Sequence, residues 1–268
     1  VEAILHVVRC FEDPNIVHVS GSIDPSRDID VIDTELCLKD LDTINARYNK
    51  TEKLAKAGDK ESKERMPAYE KVKKALEDGN PLRNAGLTEE EKAIVKDMAF
   101  LTLKTVLYCA NVAEKDLPGG GPFVDLLRQR AAKEGAEVVV ISGKVESELI
   151  DLSEEDQKVF LKDLGLEEPG LNSLIRTGYK ALQLITYFTA GEKEVRAWTV
   201  RKGSKAPQAA GVIHSDFERG FIRAEVMRYE DLLQYGSQPA VKEKGLLRVE
   251  GKEYETQDGD VMLFRFSV

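Results

Sequence analysis

Three hydrophobic rhythms divide this chain. Residues 3–11 (Ala-Ile-Leu-His-Val-Val-Arg-Cys-Phe) are a β-branched apolar run and predict a buried strand. Residues 12–23 carry Asp-Pro and Ser-Gly turn signals. Asp24-Pro25 then marks a helix start, with Asp as N-cap and Pro at the first helical position. A helical rhythm runs on to about Ala57 and stops at Gly58, with Ile29, Ile32, Leu36, Leu41 and Ile44 as its predicted inner stripe. Residues 60–80 predict a second helix, with Pro67 near its start and Gly79-Asn80-Pro81 as its stop. Thr88 and Glu91 form a capping box for a third helix through Ile94, Val95 and Met98. Residues 24–100 therefore read as an acidic helical hairpin or short coiled coil, its stripe serving helix packing.

The rhythm then returns to strand over residues 105–112. A Gly-rich loop at 119–122, a helix over 123–134 and a strand over 137–143 follow. Strand, helix and strand at this spacing predict a βαβ unit and a parallel sheet, with the helical hairpin inserted between neighbouring strands. Past Pro169 short strands are predicted at Leu184–Thr189, Glu194–Lys202, Phe221–Met227, Leu246–Glu250 and Val261–Phe266. That pattern suits a small, mostly antiparallel α+β domain.

The composition, 42% apolar and 32% charged, belongs to a folded chain. No run is apolar enough to span a bilayer and no signal peptide leads the sequence, so a cytoplasmic protein with no membrane partner is expected. A net charge of -9 excludes a polybasic nucleic-acid binder, and no DNA partner is expected. The charge is uneven: residues 170–268 hold 15 Lys and Arg against 13 Asp and Glu, so residues 1–169 carry a net -11. Two domains with different jobs fit that asymmetry. Cys10, Cys37 and Cys109 form no CxxC and read as reduced thiols, with redox regulation left open. The chain opens on Val inside a strand-like run, from which an earlier true start is expected.

Two strings at strand ends carry the chemistry. Asn111-Val112-Ala113-Glu114 follows one strand and Ser142-Gly143-Lys144 the next. In an open parallel sheet, ligands bind beyond the carboxyl ends of the strands, where such loops converge. An Asn amide donates and accepts, so it can tie two loops together. A carboxylate can accept from a base's amino group. A Ser-Gly-Lys turn offers N–H groups and an aliphatic stem for a ring. His6, His18 and His214 each read as structural.

An N-x-x-[DE] and an S-[AG]-K one helix apart resemble the base-reading motifs of Ras-like P-loop proteins. With Val112 and Glu114 in place of the usual Lys and Asp, the chain resembles the YchF (Obg-like ATPase) family. The resemblance extends to His6–Asp13, Asp24-Pro25 with Arg27-Asp28, Phe188–Gly191, Glu194–Thr199, Lys205–Pro207, Ile213–Glu218, Gly220–Glu225 and Asp258–Val261, so it covers essentially the whole sequence. It implies a partial Ras-like nucleotide-binding domain (1–23 and 101–169), a helical coiled-coil insertion (24–100), a connector (170–182) and a TGS domain of β-grasp fold (183–266). It also implies a ribosome-associated ATPase acting in translation. Asn111, Val112, Glu114, Ser142, Gly143 and Lys144 would bind the base of ATP, which would be hydrolysed with Mg²⁺.

One departure limits the expectation. No G-x-x-x-x-G-K-[ST] occurs in the sequence, so the phosphate and metal part of the site is missing and this chain alone is expected to be inactive. The alternative is a module that only grips RNA or a ribosomal protein. Arg196, Arg201, Lys202 and Arg223 are the expected RNA contacts, among further basic residues at Lys205, Arg219 and Arg228.

Overall fold

The computed structural model describes residues 1–191 and 194–267. They divide into two compact units, Val1–Ala181 and Leu182–Val268.

The first unit is built on β1 (Ala3–Arg9), β2 (Thr105–Asn111) and β3 (Glu137–Ile141), all parallel and in that order. Between β1 and β2 comes a helical arm of α1 (Pro25–Lys56), α2 (Lys60–Glu77) and α3 (Glu89–Val95). The Asp24 carboxylate accepts from the Ser26 and Arg27 N–H groups, both at 3.1 Å, and the Thr88–Glu91 capping box closes the start of α3. Crossover helix α4 (Gly121–Glu134) joins β2 to β3. It starts two residues before the predicted Phe123. Gly120 makes that entry possible, because its φ is +92° and a Cβ there would lie 2.6 Å from the Val124 side chain. Helices α5 (Gly143–Ile150), α6 (Glu154–Asp163) and α7 (Gly170–Ala181) complete the unit. The stretch read from sequence as a connector is thus mostly helix, and Leu174 of α7 packs against Leu107, Cys109, Val139 and Ile141 of the sheet.

Two predictions need correction. In β1 only Val8 is buried, while Leu5 and Val7 are exposed. The strand lies at the edge of this sheet, and the cluster under α7 draws only on β2 and β3. In α1 the inner stripe runs through Ile29, Asp33, Cys37, Asp40 and Ile44, and Ile32 is 43% exposed. The two acids tolerate burial because both are bonded. The Arg83 guanidinium donates to both Asp33 oxygens at 2.7 and 2.8 Å, and Asp40 accepts from the Leu101 N–H, the Thr102 N–H and the Thr102 hydroxyl. Arg130 adds a bond to Asp30 at 2.7 Å and pairs with Glu134, which also accepts from the Tyr108 hydroxyl. This network ties the root of the arm to β2 and α4.

All three cysteines are free and buried. Burial pushes the Cys10 thiol up to about 12 and the Cys37 thiol up to about 11, and raises Cys109 as well. Thiolate, the reactive form, is therefore scarce at all three. His6 packs on the Tyr108 ring at 5.7 Å, and burial lowers its pKa.

The second unit is a five-stranded sheet under short helices. In chain order its elements are β4 (Leu184–Ala190), β5 (Val195–Arg201), α8 (Ala206–Ile213), α9 (Ser215–Arg219), β6 (Phe221–Arg228), α10 (Tyr229–Tyr235), α11 (Gln238–Glu243), β7 (Arg248–Glu250) and β8 (Asp260–Phe266). The strand order is β5-β4-β8-β6-β7, antiparallel except for the central β4–β8 pair. All five predicted strands are present. One face packs Tyr187, Val200, Ala224, Val226, Met262 and Phe264 against α8, and Trp198 lies partly buried at its margin.

Candidate nucleotide-base site and RNA contacts

The carboxyl ends of β2 and β3 bring the two sequence strings together. Asn111 is the last residue of β2. Its side-chain Oδ1 accepts from the Gly143 N–H at 3.0 Å, at the first turn of α5. Its backbone carbonyl takes the Cys10 N–H at 2.8 Å, and the Val112 N–H donates to Ile141 at 2.9 Å. Both loops are therefore fixed by bonds that cross between strands. Val112 is 2% exposed and packs in the sheet core, so its side chain belongs mainly to the protein interior.

Above these bonds lies a cavity of about 720 Å³. Asn111, Val112, Glu114, Ser142, Gly143 and Lys144 all line it. So do Phe11, Ile16 and Leu164, which sequence reasoning missed. Phe11 lay in a string already singled out for its resemblance. Leu164, after α6, gave no signal. The Phe11–Ile16 loop is braced by Arg9, whose guanidinium donates to the Phe11 carbonyl at 3.1 Å and to the Ile16 carbonyl at 3.0 Å. At the rim, Lys144 Nζ donates to Glu114 Oε2 at 3.0 Å. That bond, with the nearby Glu114 charge, raises the lysine pKa. Ser142 is buried, and its hydroxyl has no hydrogen-bond partner among the described residues. An orphaned hydroxyl in a cavity wall is costly unless something else bonds to it.

The expected RNA contacts do not converge. Arg201 and Lys202 lie together at the end of β5 that pairs with Leu184. Arg196 lies toward the other end, its guanidinium 4.1 Å from the Trp198 ring centroid, on the face of the sheet shared with buried Val200. Arg223 is on β6, separated from β5 by two intervening strands, β4 and β8, and on the opposite face from Ala224. His18 bonds Asp28 at 2.9 Å and so ties its loop to the first turn of α1, and His214 Nδ1 accepts the Asp216 N–H at 3.2 Å and so caps α9.

Known proteins place the chain. A ribosome-binding ATPase YchF of Haemophilus influenzae is 54% identical over 267 residues, which span 100% of this chain and 73% of that protein. The chain belongs to the YchF family. A second ribosome-binding ATPase YchF, of Bacillus subtilis, is 51% identical over 270 residues and is covered to 74% of its length. The YchF-GTPase_C family model, described as a protein of unknown function (DUF933), matches residues 184–267. A solved YchF GTPase of Schizosaccharomyces pombe superposes with a TM-score of 0.85 at 37% identity, over 99% of this chain and 72% of that one. The fold is accordingly the YchF one: a partial Ras-like parallel sheet with a helical insertion, and a β-grasp domain of TGS type. Relatives in this family are named for ATP in two cases and for GTP in the third.

Proposed function

We propose that this chain is the base-reading and partner-binding part of a ribosome-associated, cytoplasmic ATPase of the YchF type. One observation supports the base-reading half above others: Asn111 clamps the Gly143 N–H across the floor of a cavity whose wall holds the unpartnered Ser142 hydroxyl. An adenine ring fits that chemistry. Phe11, Ile16 and Leu164 supply apolar wall, the Ser142 hydroxyl meets a ring nitrogen or amino group, and Glu114 accepts from the exocyclic amine. Residues 1–23 and 101–169 form the nucleotide-binding domain in this reading, 24–100 its insertion and 183–266 the TGS domain. Residues 170–181 join the first domain, because α7 packs on its sheet.

Hydrolysis would be phosphoryl transfer to water, which depends on positioning and on cations around the phosphates. Among the described residues no cluster of three or more His, Cys, Asp and Glu could hold a metal. No magnesium step is therefore assigned to these residues. The competing reading, a module that only binds RNA or a ribosomal protein, draws on the lack of any G-x-x-x-x-G-K-[ST] string.

Competition binding tests the first reading, using a protein that joins this chain to a phosphate-binding loop. ATP is expected to bind more tightly than GTP. Tighter GTP binding sinks the adenine assignment, and no nucleotide binding at all favours the module. The chain of residues 1–268 by itself is expected to show no turnover above background in a phosphate-release assay. Measurable turnover would mean the active centre lies elsewhere.

A further inference from the structure

The free end of the helical arm differs in charge from the rest of its unit. From Arg47 to Arg65 the sequence holds seven Lys and Arg against four Asp and Glu, although residues 1–169 are strongly acidic. α1 runs unbroken to Lys56 and α2 starts at Lys60, so these cations crowd the turn between the helices. The local acids are already engaged. Glu52 holds Lys56 at 2.9 Å, Glu61 holds Arg65 at 2.5 Å and Glu64 faces Lys60 at 4.0 Å. Asp59 caps α2 by accepting the Ser62 N–H at 2.8 Å, and Arg47 pairs with Asp97 at 2.6 Å. Lys50, Lys53 and Lys63 remain. All three are exposed, and none has an ion-pair partner among the described residues. Lys50 and Lys53 lie one turn apart on the solvent side of α1, because Ile44 and Thr51 mark its packed side.

The acidic root of the arm cannot cancel this charge. At 1.5 Å per residue, Lys56 is about 39 Å along the axis from Asp30. The screening length at physiological salt is about 8 Å. The field at the tip is therefore local and positive.

We infer that the tip of the arm docks on RNA phosphates through Lys50, Lys53 and Lys63, which rests on the ribosome reading above and names the partner chemistry. Lysine is a compact charge on a long stem and meets phosphate oxygens without reading sequence. Protein interfaces favour Trp, Tyr and Arg at their centres and are depleted in Lys, so an RNA surface fits the tip better than an acidic protein does.

The test uses a protein that joins this chain to a phosphate-binding loop. Binding to purified ribosomes and to protein-free ribosomal RNA is measured across a salt series. The variants are the triple Lys→Ala and triple Lys→Glu changes at 50, 53 and 63, with helicity checked by circular dichroism. Three lost phosphate contacts are expected to flatten the log-affinity against log-salt slope by about 2, and to weaken binding roughly 50-fold at 0.15 M salt. Unchanged affinity and slope overturn the inference. So does weaker binding with an unchanged slope, which points to a protein contact. If the unmodified protein binds RNA with the tip dependence but not ribosomes, the ribosome reading falls and the tip assignment stands. If it binds neither, both fall. Should the Glu triple lose helicity, the Ala triple carries the decision.

Discussion

Glu114 already has a partner at the cavity rim, the Lys144 amine at 3.0 Å, so a base that uses this carboxylate must compete with that lysine. Guanine offers such a carboxylate two donors, its N1–H and its 2-amino group. Adenine offers only its amino group beside a bare ring nitrogen. The longer Glu, following Val112 rather than Lys, places the carboxylate differently from the guanine-reading Asp. Glu114→Ala is expected to erode ATP-over-GTP discrimination by about 1–3 kcal/mol, the scale of a hydrogen bond lost at a desolvated site. Parallel titrations with both nucleotides read this directly, and an unchanged ratio removes Glu114 from the selection. Asn111, Glu114 and Ser142–Lys144 were legible in the sequence because each string stands at a strand end, where geometry forces the loops together. Leu164 and Ile16 were not, since an apolar residue in a loop looks the same whether it walls a cavity or only caps a turn.

Helix starts were the elements most readable in advance. Asp24, Pro25, Thr88 and Glu91 act through bonds to their own local backbone, so sequence spacing alone defines them. The inner face of α1 was misread for the opposite reason. Asp33 and Asp40 count as polar in any hydrophobic pattern, yet both are buried because partners distant in sequence, Arg83 and Thr102, satisfy them. Asp40 joins mid-α1 to the chain just before β2 through three bonds. Asp40→Ala leaves two backbone N–H groups and a hydroxyl with no acceptor. It is expected to destabilise the first unit by about 2–3 kcal/mol. Urea unfolding followed by circular dichroism checks this. A loss below about 0.5 kcal/mol would show that water replaces the carboxylate.

On the scale of the molecule, both units follow from local patterns plus a simple rule. A βαβ rhythm closes a parallel sheet, and short alternating strands with turns close an antiparallel one. What local pattern could not supply was the exposure of Leu5 and Val7, because burial depends on which elements pack over a strand and not on the strand itself. The inserted arm also bears on the order of folding. β1 and β2 are neighbours in the sheet but roughly 100 residues apart in the chain, and closing so long a loop is entropically costly. The arm has its own apolar centre, including Cys37, Ile44, Tyr69, Val72, Leu76, Leu82 and Phe100. If it forms first, about 20 flexible residues remain between the strands. Two halvings of loop length then lower the closure cost by about 1.2 kcal/mol, close to an eightfold gain in rate. Leu76→Ala is therefore expected to slow folding nearly as much as it lowers stability, giving a φ-value near 1 in stopped-flow refolding, whereas a value near 0 would mean the sheet closes before the arm.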